Sequence, residues 1–385
     1  MAETTQLRGS RKRELRNKNE DAVSQAAMAP GCLRGKGTTR SRPRQGGGIP
    51  FMTERRKPVP GWIGLLLGLA LGAFAAPDEF SARTAPAACS VTETARRYGF
   101  SGPVVRGRQI ALNNKWHSLV FEANGRKCLY DGTVVWLTAP VFSDGGEWRL
   151  ARADVDKLLT PLFAPSSALA RAGYSRIVID AGHGGDDHGA VGRRRGSREK
   201  SVNLDIARRV RSMLSPHLDV FMLRTDNRTL SLEERAARAA KLKPDIFISI
   251  HQNSATDRNA SGAETHVLPP AGRPITASSE VTARDRAFYM GNRSDSANTC
   301  LGYRIQQSLV KATGAGDRGL RRSRFFMIRN MPCPAALIEC GFLSNAEEEK
   351  KLRTREYKDK VARGIADGIL AYVGAVKRAR VSDSK

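Results

Sequence analysis

Arg176-Ile177-Val178-Ile179-Asp180-Ala181-Gly182-His183-Gly184-Gly185 decides the fold: an apolar, β-branched run stops at a glycine-dense turn that holds one histidine. The pattern predicts a buried strand entering a tight loop, with the imidazole presented at the strand's C-terminal edge. Open α/β sheets place their chemistry at that edge. Glycine turns after strands are common, so this stretch alone is weak. It gains weight because Asp245-Ile246-Phe247-Ile248-Ser249-Ile250 is followed by His251, and Ala335-Ala336-Leu337-Ile338 by Glu339. Three strands that each end in a metal-binding or acid/base side chain describe a site.

Outward from these strands the hydrophobic period alternates. Helices are predicted at about 200–215, 231–241, 299–312 and 356–377, with further strands at about 219–223 and 325–328. Ser231-Leu232-Glu233-Glu234 supplies a capping box for the second helix. A long irregular region spans about 253–297, although Thr265-His266-Val267-Leu268 reads as strand. Such alternation predicts an α/β domain over residues 174–377, a twisted and mostly parallel sheet with helices on both faces. Residues 378–385 are a tail, and the Pro/Ala/Ser-rich stretch 161–173 is read as a linker.

Ahead of it, residues 104–160 predict a small β-rich domain, with Asn124-Gly125 and Asp131-Gly132 as hairpin turns and a short helix near 152–159. This segment resembles the N-terminal domain of copper amine oxidases and the small domains that precede some cell-wall enzymes, which implies a wall-binding or spacing role. Its His117 stands alone and is read as structural or superficial. Residues 77–103 read as a linker. Residues 52–76 carry a cationic start (Met52 to Lys57), an apolar run (Trp62 to Ala76) and small residues at Ala73-Phe74-Ala75, the layout of a cleavable export signal. The expectation is translation from Met52, with residues 1–51 a basic head unable to bury a core. An uncleaved anchor is the alternative reading, since the apolar run is near the short limit for a span. Membrane contact is otherwise not expected, and the product is expected outside the cytoplasm, periplasmic or wall-associated.

With 64 Lys+Arg against 38 Asp+Glu, the 385-residue chain has a formal charge of +26. Residues 1–57 hold 14 basic and 5 acidic residues, a surplus of 9, so about a third of the excess lies in the head. The remainder is dispersed, as in Arg193-Arg194-Arg195 and Arg321-Arg322, rather than gathered with exposed aromatics, and a nucleic-acid partner is not expected. The six cysteines form no CxxC pair, which argues against a cysteine-built zinc site. Cys340 reads as a packing residue rather than a nucleophile.

A catalytic zinc site uses three protein ligands and keeps one position open, and imidazoles with a carboxylate serve well. His183 and His251 end two strands. Glu199 opens a helix, where a carboxylate is in any case favoured by the helix dipole, and beside two strand-end histidines it is the best third ligand. His188 is read as solvent-exposed, His266 as part of a strand and His217 as superficial. Glu339, behind an apolar run, suits a proton shuttle because burial raises a carboxyl pKa.

Four motifs in order, Ile179 to Gly185, Glu199-Lys200-Ser201-Val202-Asn203-Leu204, Ser249-Ile250-His251-Gln252-Asn253-Ser254 and Ile338 to Asn345, resemble those of zinc-dependent N-acetylmuramoyl-L-alanine amidases. The resemblance covers about 174–377. It implies Zn2+ held by His183, Glu199 and His251, with Glu339 as catalytic acid/base. The implied reaction cleaves the amide between N-acetylmuramic acid and L-alanine of peptidoglycan, for wall remodelling or cell separation. Asn253 and Arg329 are expected substrate contacts. Residues 263–297 occupy the region that gates the site in some relatives, and an activator protein would then be a partner. The rival readings are a zinc peptidase acting on stem peptides and a non-enzymatic wall-binding protein.

Overall fold

In the computed structural model the described residues are 87–165, 169 and 173–383; the head and export-signal expectations over 1–76 lie outside them. The body is built on five strands, β9 (Arg176–Ala181), β10 (Asp219–Met222), β11 (Ile246–Asn253), β12 (Ala263–Val267) and β14 (Ala335–Phe342), with β13 (Asp317–Arg322) beside β12. In space the order is β10-β9-β11-β14-β12-β13. All neighbours pair in parallel except β14 with β12, which is antiparallel.

Strand alternation separates two cores. Ile177 and Ile179 of β9, Ile246, Ile248 and Ile250 of β11, and Ala336 and Ile338 of β14 face one side. There they meet helices Glu199–Leu214, Asp295–Thr313 and Arg355–Asp383 through residues such as Ile206, Val210, Ile305, Leu309, Ile365 and Ile369. Val178, Phe247, Ala335 and Leu337 point the opposite way, onto Ala239 of the helix Leu232–Leu242 and onto Met327 and Ile328. Both faces are therefore covered, as a nearly continuous apolar strand requires. Each fully buried Ile or Leu contributes about 1.5–3 kcal/mol. No helix among the described residues is long and apolar enough to cross a membrane.

Residues expected as a separate β-rich unit form strands β2 to β6 (Val104–Arg106, Gln109–Asn113, Ser118–Glu122, Lys127–Tyr130, Thr133–Trp136). They extend the same sheet beyond β13, giving eleven strands in order β10-β9-β11-β14-β12-β13-β6-β5-β4-β3-β2. The junction is the Leu320–Val135 pair, reinforced by the Trp136 indole N–H donating to Arg318 O (2.9 Å) and Val134 N–H donating to Asp317 Oδ2 (2.7 Å). Arg126 crosses the same boundary and donates to the carbonyls of Ile275 (3.2 Å) and Ser278 (2.6 Å), pinning the irregular segment after β12. Strand β1 (Ala88–Ser90), paired through β8 (Glu147–Ala151) with β7 (Phe142–Asp144), and helix α1 (Val91–Arg97), capped by Ser90, form within the stretch expected as a linker; Val91 and Ala95 supply the buried face that holds them. Helix continues to Phe163, with Pro161 and Leu162 buried.

Two elements differ from expectation. Phe325 to Ile328, expected as strand, turns into the short helix Phe326–Asn330. A four-residue apolar run has no period that separates the two states. Strand β13 was not anticipated, because Asp317-Arg318-Gly319-Leu320-Arg321-Arg322 carries almost no β signal; its pairing with β12 and β6 makes it a strand.

The helices Asp295–Thr313 and Arg355–Asp383 come into close backbone contact at Gly364 and Gly368. A Cβ on Gly368 would lie 2.5 Å from Ile305 Cα, and one on Gly364 would lie 2.6 Å from Leu309 Cα. Gly368→Ala must push the helices apart and is expected to lower unfolding free energy by about 1–3 kcal/mol, read from the urea midpoint. An unchanged midpoint would mean that the two helices pack more loosely than this.

Candidate metal centre

Parallel pairing brings the C-terminal parts of β9, β11 and β14 to one edge of the sheet; His251 and Glu339, expected just past their strands, lie inside them, because β11 runs on to Asn253 and β14 to Phe342. Ile250 stands opposite Ala181, and His251 opposite Glu339. His183 follows β9 in a left-handed conformation (φ 61°), an unfavourable state for a residue with a Cβ. The Arg235 guanidinium holds it there by donating to His183 O at 2.7 Å and to Ala181 O at 3.0 Å. Arg224, fully buried, donates to Ala181 O (2.7 Å), Gly182 O (2.9 Å) and Lys200 O (2.8 Å), tying the histidine loop to the helix that begins at Glu199. Gly182 must lack a side chain: a Cβ would sit 2.2 Å from His251 Cε1.

Glu199 is the first residue of its helix and is 3% exposed. Its Oε1 lies 3.0 Å from His251 Nδ1 and 3.2 Å from His183 Nε2. One ligand atom from each of the three residues falls within 4.8 Å of the others, and among the described residues this is the cluster able to share an ion. The remaining contacts orient the ligands. Glu199 Oε2 accepts from Ala190 N (2.7 Å), Oε1 accepts from Gln252 N (3.0 Å) and the Asn203 amide (3.2 Å), and His183 Nδ1 meets Asp187 Oδ2 at 2.8 Å.

The electrostatics describe a cation site. Burial works against charge on His183, but Glu199 and Asp187 outweigh it and lift the ring to about 10. Burial likewise opposes the Glu199 carboxylate, yet the two imidazoles hold it well below the ordinary range. His183 Nε2 is buried and, although within ion-pair distance of Glu199, makes no hydrogen bond. His183 Nε2 and His251 Nδ1 both face Glu199 Oε1, and side-chain atoms that converge in this way suit a divalent ion. Two imidazole nitrogens and a carboxylate oxygen are the donor set for it.

Glu339 is 4% exposed, and its Oε2 has no hydrogen-bond partner. Burial first, then the negative charges of Glu199 and Glu264, push its carboxyl well above the usual carboxylate range. Glu264, unremarked in the sequence, stands opposite Glu339 on β12. It is held by Arg318 (2.8 Å), the Asn253 amide (2.8 Å) and His266 (3.1 Å). Asn253 is thereby engaged at both ends of its amide, since its oxygen accepts from Ser254 N. Arg329 packs over the rings of Tyr289 and Phe326. Of the other histidines, His217 is exposed as read, and His266 is fully buried in its strand. His188 is half-buried rather than exposed, because its backbone carbonyl accepts from Lys200 N at the helix start. Cys340 is buried and its thiol is pushed up by that burial, which leaves it a packing residue. The five cysteines among the described residues are all free.

Asp187 and Ser249 could have been found by spacing. Asp187 lies four residues past His183, and Ser249 two residues before His251 on the same strand face. Gly182→Ala is expected to displace the His251 ring and abolish stoichiometric divalent-metal uptake, measured by equilibrium dialysis and elemental analysis. Full metal content in that variant would remove His251 from the ligand set.

The family of N-acetylmuramoyl-L-alanine amidases matches residues 177–371, which contain His183, Glu199, His251 and Glu339. LytC of Bacillus subtilis (strain 168), an N-acetylmuramoyl-L-alanine amidase, is 35% identical over 197 residues that cover 51% of this chain and 35% of LytC. The amidase AmiC of Escherichia coli O6:H1 is 31% identical over 246 residues, 57% of this chain and 58% of AmiC. The chain thus spans only part of the length of these two curated relatives. The catalytic domain of the amidase CwlV from Bacillus (Paenibacillus) polymyxa is 36% identical, covers 52% of this chain and 99% of that domain, and superposes with a TM-score of 0.44. The family's pattern spans the strands and loops that build this centre, and the chain belongs to the N-acetylmuramoyl-L-alanine amidase family.

Proposed function

We propose that this protein is an exported, zinc-dependent hydrolase of the amide bond between N-acetylmuramic acid and L-alanine in peptidoglycan. The observation that carries the reading is the convergence of His183, Glu199 and His251 beside a buried, unbonded carboxyl oxygen of Glu339. Bound by the three ligands, zinc would supply Lewis acidity and an activated water. The chain's own part is proton handling. Glu339, its carboxyl held above the ordinary carboxylate range by burial and by Glu199 and Glu264, would take the proton of the attacking water and pass it to the departing L-alanine nitrogen. Cleavage leaves a lactyl carboxylate on the sugar and a free α-amine on the peptide.

Substrate attraction has a candidate in the turn before Glu199. Arg193, Arg194, Arg195 and Arg198 are exposed there, on a small hairpin closed by the Val191–Arg198 bridge. The buried carboxylate of Glu349 holds the turn from beneath by accepting from the backbone N–H of Arg194 (3.1 Å), Arg195 (3.1 Å) and Ser197 (3.2 Å). Stem-peptide carboxylates would be drawn to it, with an attraction that salt weakens. The export signal read over residues 52–76 and a wall substrate agree on a location outside the cytoplasm.

The test is release of new L-alanine N-termini from purified peptidoglycan by the full chain, with and without a chelator. Zinc-restorable release is expected, reduced roughly 10²–10⁴-fold by Glu339→Gln with metal content unchanged. Release of other amino termini would convert the assignment to a stem-peptide peptidase.

A further inference from the structure

Resting on the reading of His183, Glu199 and His251 as a metal centre, we propose that Arg235, Asp180 and Ser249 form a buried relay that sets the tautomer of His251. In this relay Nδ1 is the atom left to bind metal. Asp180, Ser249 and His251 have the strand parity of Val178 and Phe247, so they lie on the sheet face covered by the helix Leu232–Leu242, and that helix supplies Arg235. The Arg235–Asp180 ion pair is closed to solvent, with side chains 4% and 2% exposed. Asp180 Oδ2 accepts from the Ser249 hydroxyl at 2.9 Å, and Ser249 Oγ lies 3.1 Å from His251 Nε2.

The direction of each bond follows from the inventory of donors. An ionised carboxylate only accepts, and a guanidinium opposite it keeps that state favoured. Ser249 has one hydroxyl proton, and Asp180 takes it. Its oxygen can then only accept from the ring, so His251 Nε2 carries the hydrogen. In the neutral imidazole the second nitrogen is bare. That nitrogen, Nδ1, faces Glu199 Oε1 at 3.0 Å on the ligand side; a carboxylate only accepts, so a proton held on Nδ1 in this contact is one that a bound ion displaces. The guanidinium that anchors the relay also donates to Ala181 O and His183 O, so one side chain on the helix face serves both strand ends of the site. The three residues are positioning residues: Asp180 and Ser249 reach the metal only through His251, while Arg235 also holds the backbone of His183.

Two variants of the full chain test this. Ser249→Ala removes the acceptor for Nε2–H. Asp180→Asn keeps the shape but offers an amide hydrogen to Ser249, which turns the hydroxyl proton toward the ring and favours the Nδ1–H form. Zinc affinity is measured by competition with a chromogenic chelator, and the ring nitrogens by ¹⁵N NMR of metal-free protein at a pH where the ring is neutral. Ser249→Ala is expected to weaken zinc roughly 10- to 100-fold and to give a mixture of His251 tautomers. Asp180→Asn is expected to move the proton to Nδ1, while His183, whose partner Asp187 is untouched, keeps its tautomer. Ser249→Ala with zinc affinity within about twofold of the unchanged protein, or with His251 still wholly Nε2–H, overturns the relay. Should Asp180→Asn fail to fold because Arg235 is left unpaired, Ser249→Ala decides alone. If the unchanged protein binds no zinc, the metal reading fails, and the ring-nitrogen measurement on metal-free Ser249→Ala still reads the relay.

Discussion

The in-register parallel pairing of β9, β11 and β14 is the constraint on which the rest of the structure depends. Because Ile250 pairs with Ala181 and His251 with Glu339, the end of β9 stands level with His251 and Glu339 at one edge of the sheet. Side chains of one parity then share a face. Ile177, Ile179, Ile248 and Ile250 go to the larger core, while Val178, Phe247 and Leu337 go to the smaller one, with Ser249 of the same strand parity as Phe247. A slip of one residue in any of these strands would exchange its faces and carry its functional side chain to the wrong side. Core packing and site assembly are therefore one requirement.

Negative charge is concentrated behind this edge. Glu199, Glu264 and Glu339 are each nearly inaccessible to water, and burial of a carboxylate is costly unless it is paired. Glu199 has two imidazoles, and Glu264 has Arg318, His266 and Asn253. Glu339 has an oxygen without a partner and is driven toward its neutral form. The three carboxyl groups differ in role because their neighbours differ, not because their positions in sequence do.

The surplus of arginine has a corresponding explanation. Arg224, Arg235 and Arg322 are 1–3% exposed, each within the fold. Arg224 and Arg235 bind the carbonyls at the end of β9, where the turn through His183 leaves backbone oxygens without strand partners. Part of the charge that composition alone would assign to a polyanion partner is thus structural. The exposed triplet at Arg193 to Arg195 is a different matter, presented on a turn that a buried glutamate secures.

Long apolar strands and their terminal residues were legible in the sequence, since β-branched runs such as Ile177 to Ile179 and Ile246 to Ile250 announce themselves by composition and length. So were the helices that begin at Glu199 and Leu232, through amphipathic period and a capping box. Strand β13 was not legible, nor was the helix at Phe326–Asn330, because short segments take their state from the neighbours they pair with. The merging of the β-rich segment with the α/β sheet rests on the Leu320–Val135 pairing, a contact between residues nearly two hundred positions apart. By itself the sequence determined that His183 and His251 follow apolar strand runs, that Glu199 opens a helix and that Glu339 follows a third run, although β11 and β14 extend past His251 and Glu339. Only the tertiary structure decided which nitrogen of His251 faces Glu199, that Glu264 stands beside Glu339, and that Arg235 and Asp180 lie beneath them. Those are matters of register and side-chain direction, set by packing between distant segments and not encoded in any local stretch.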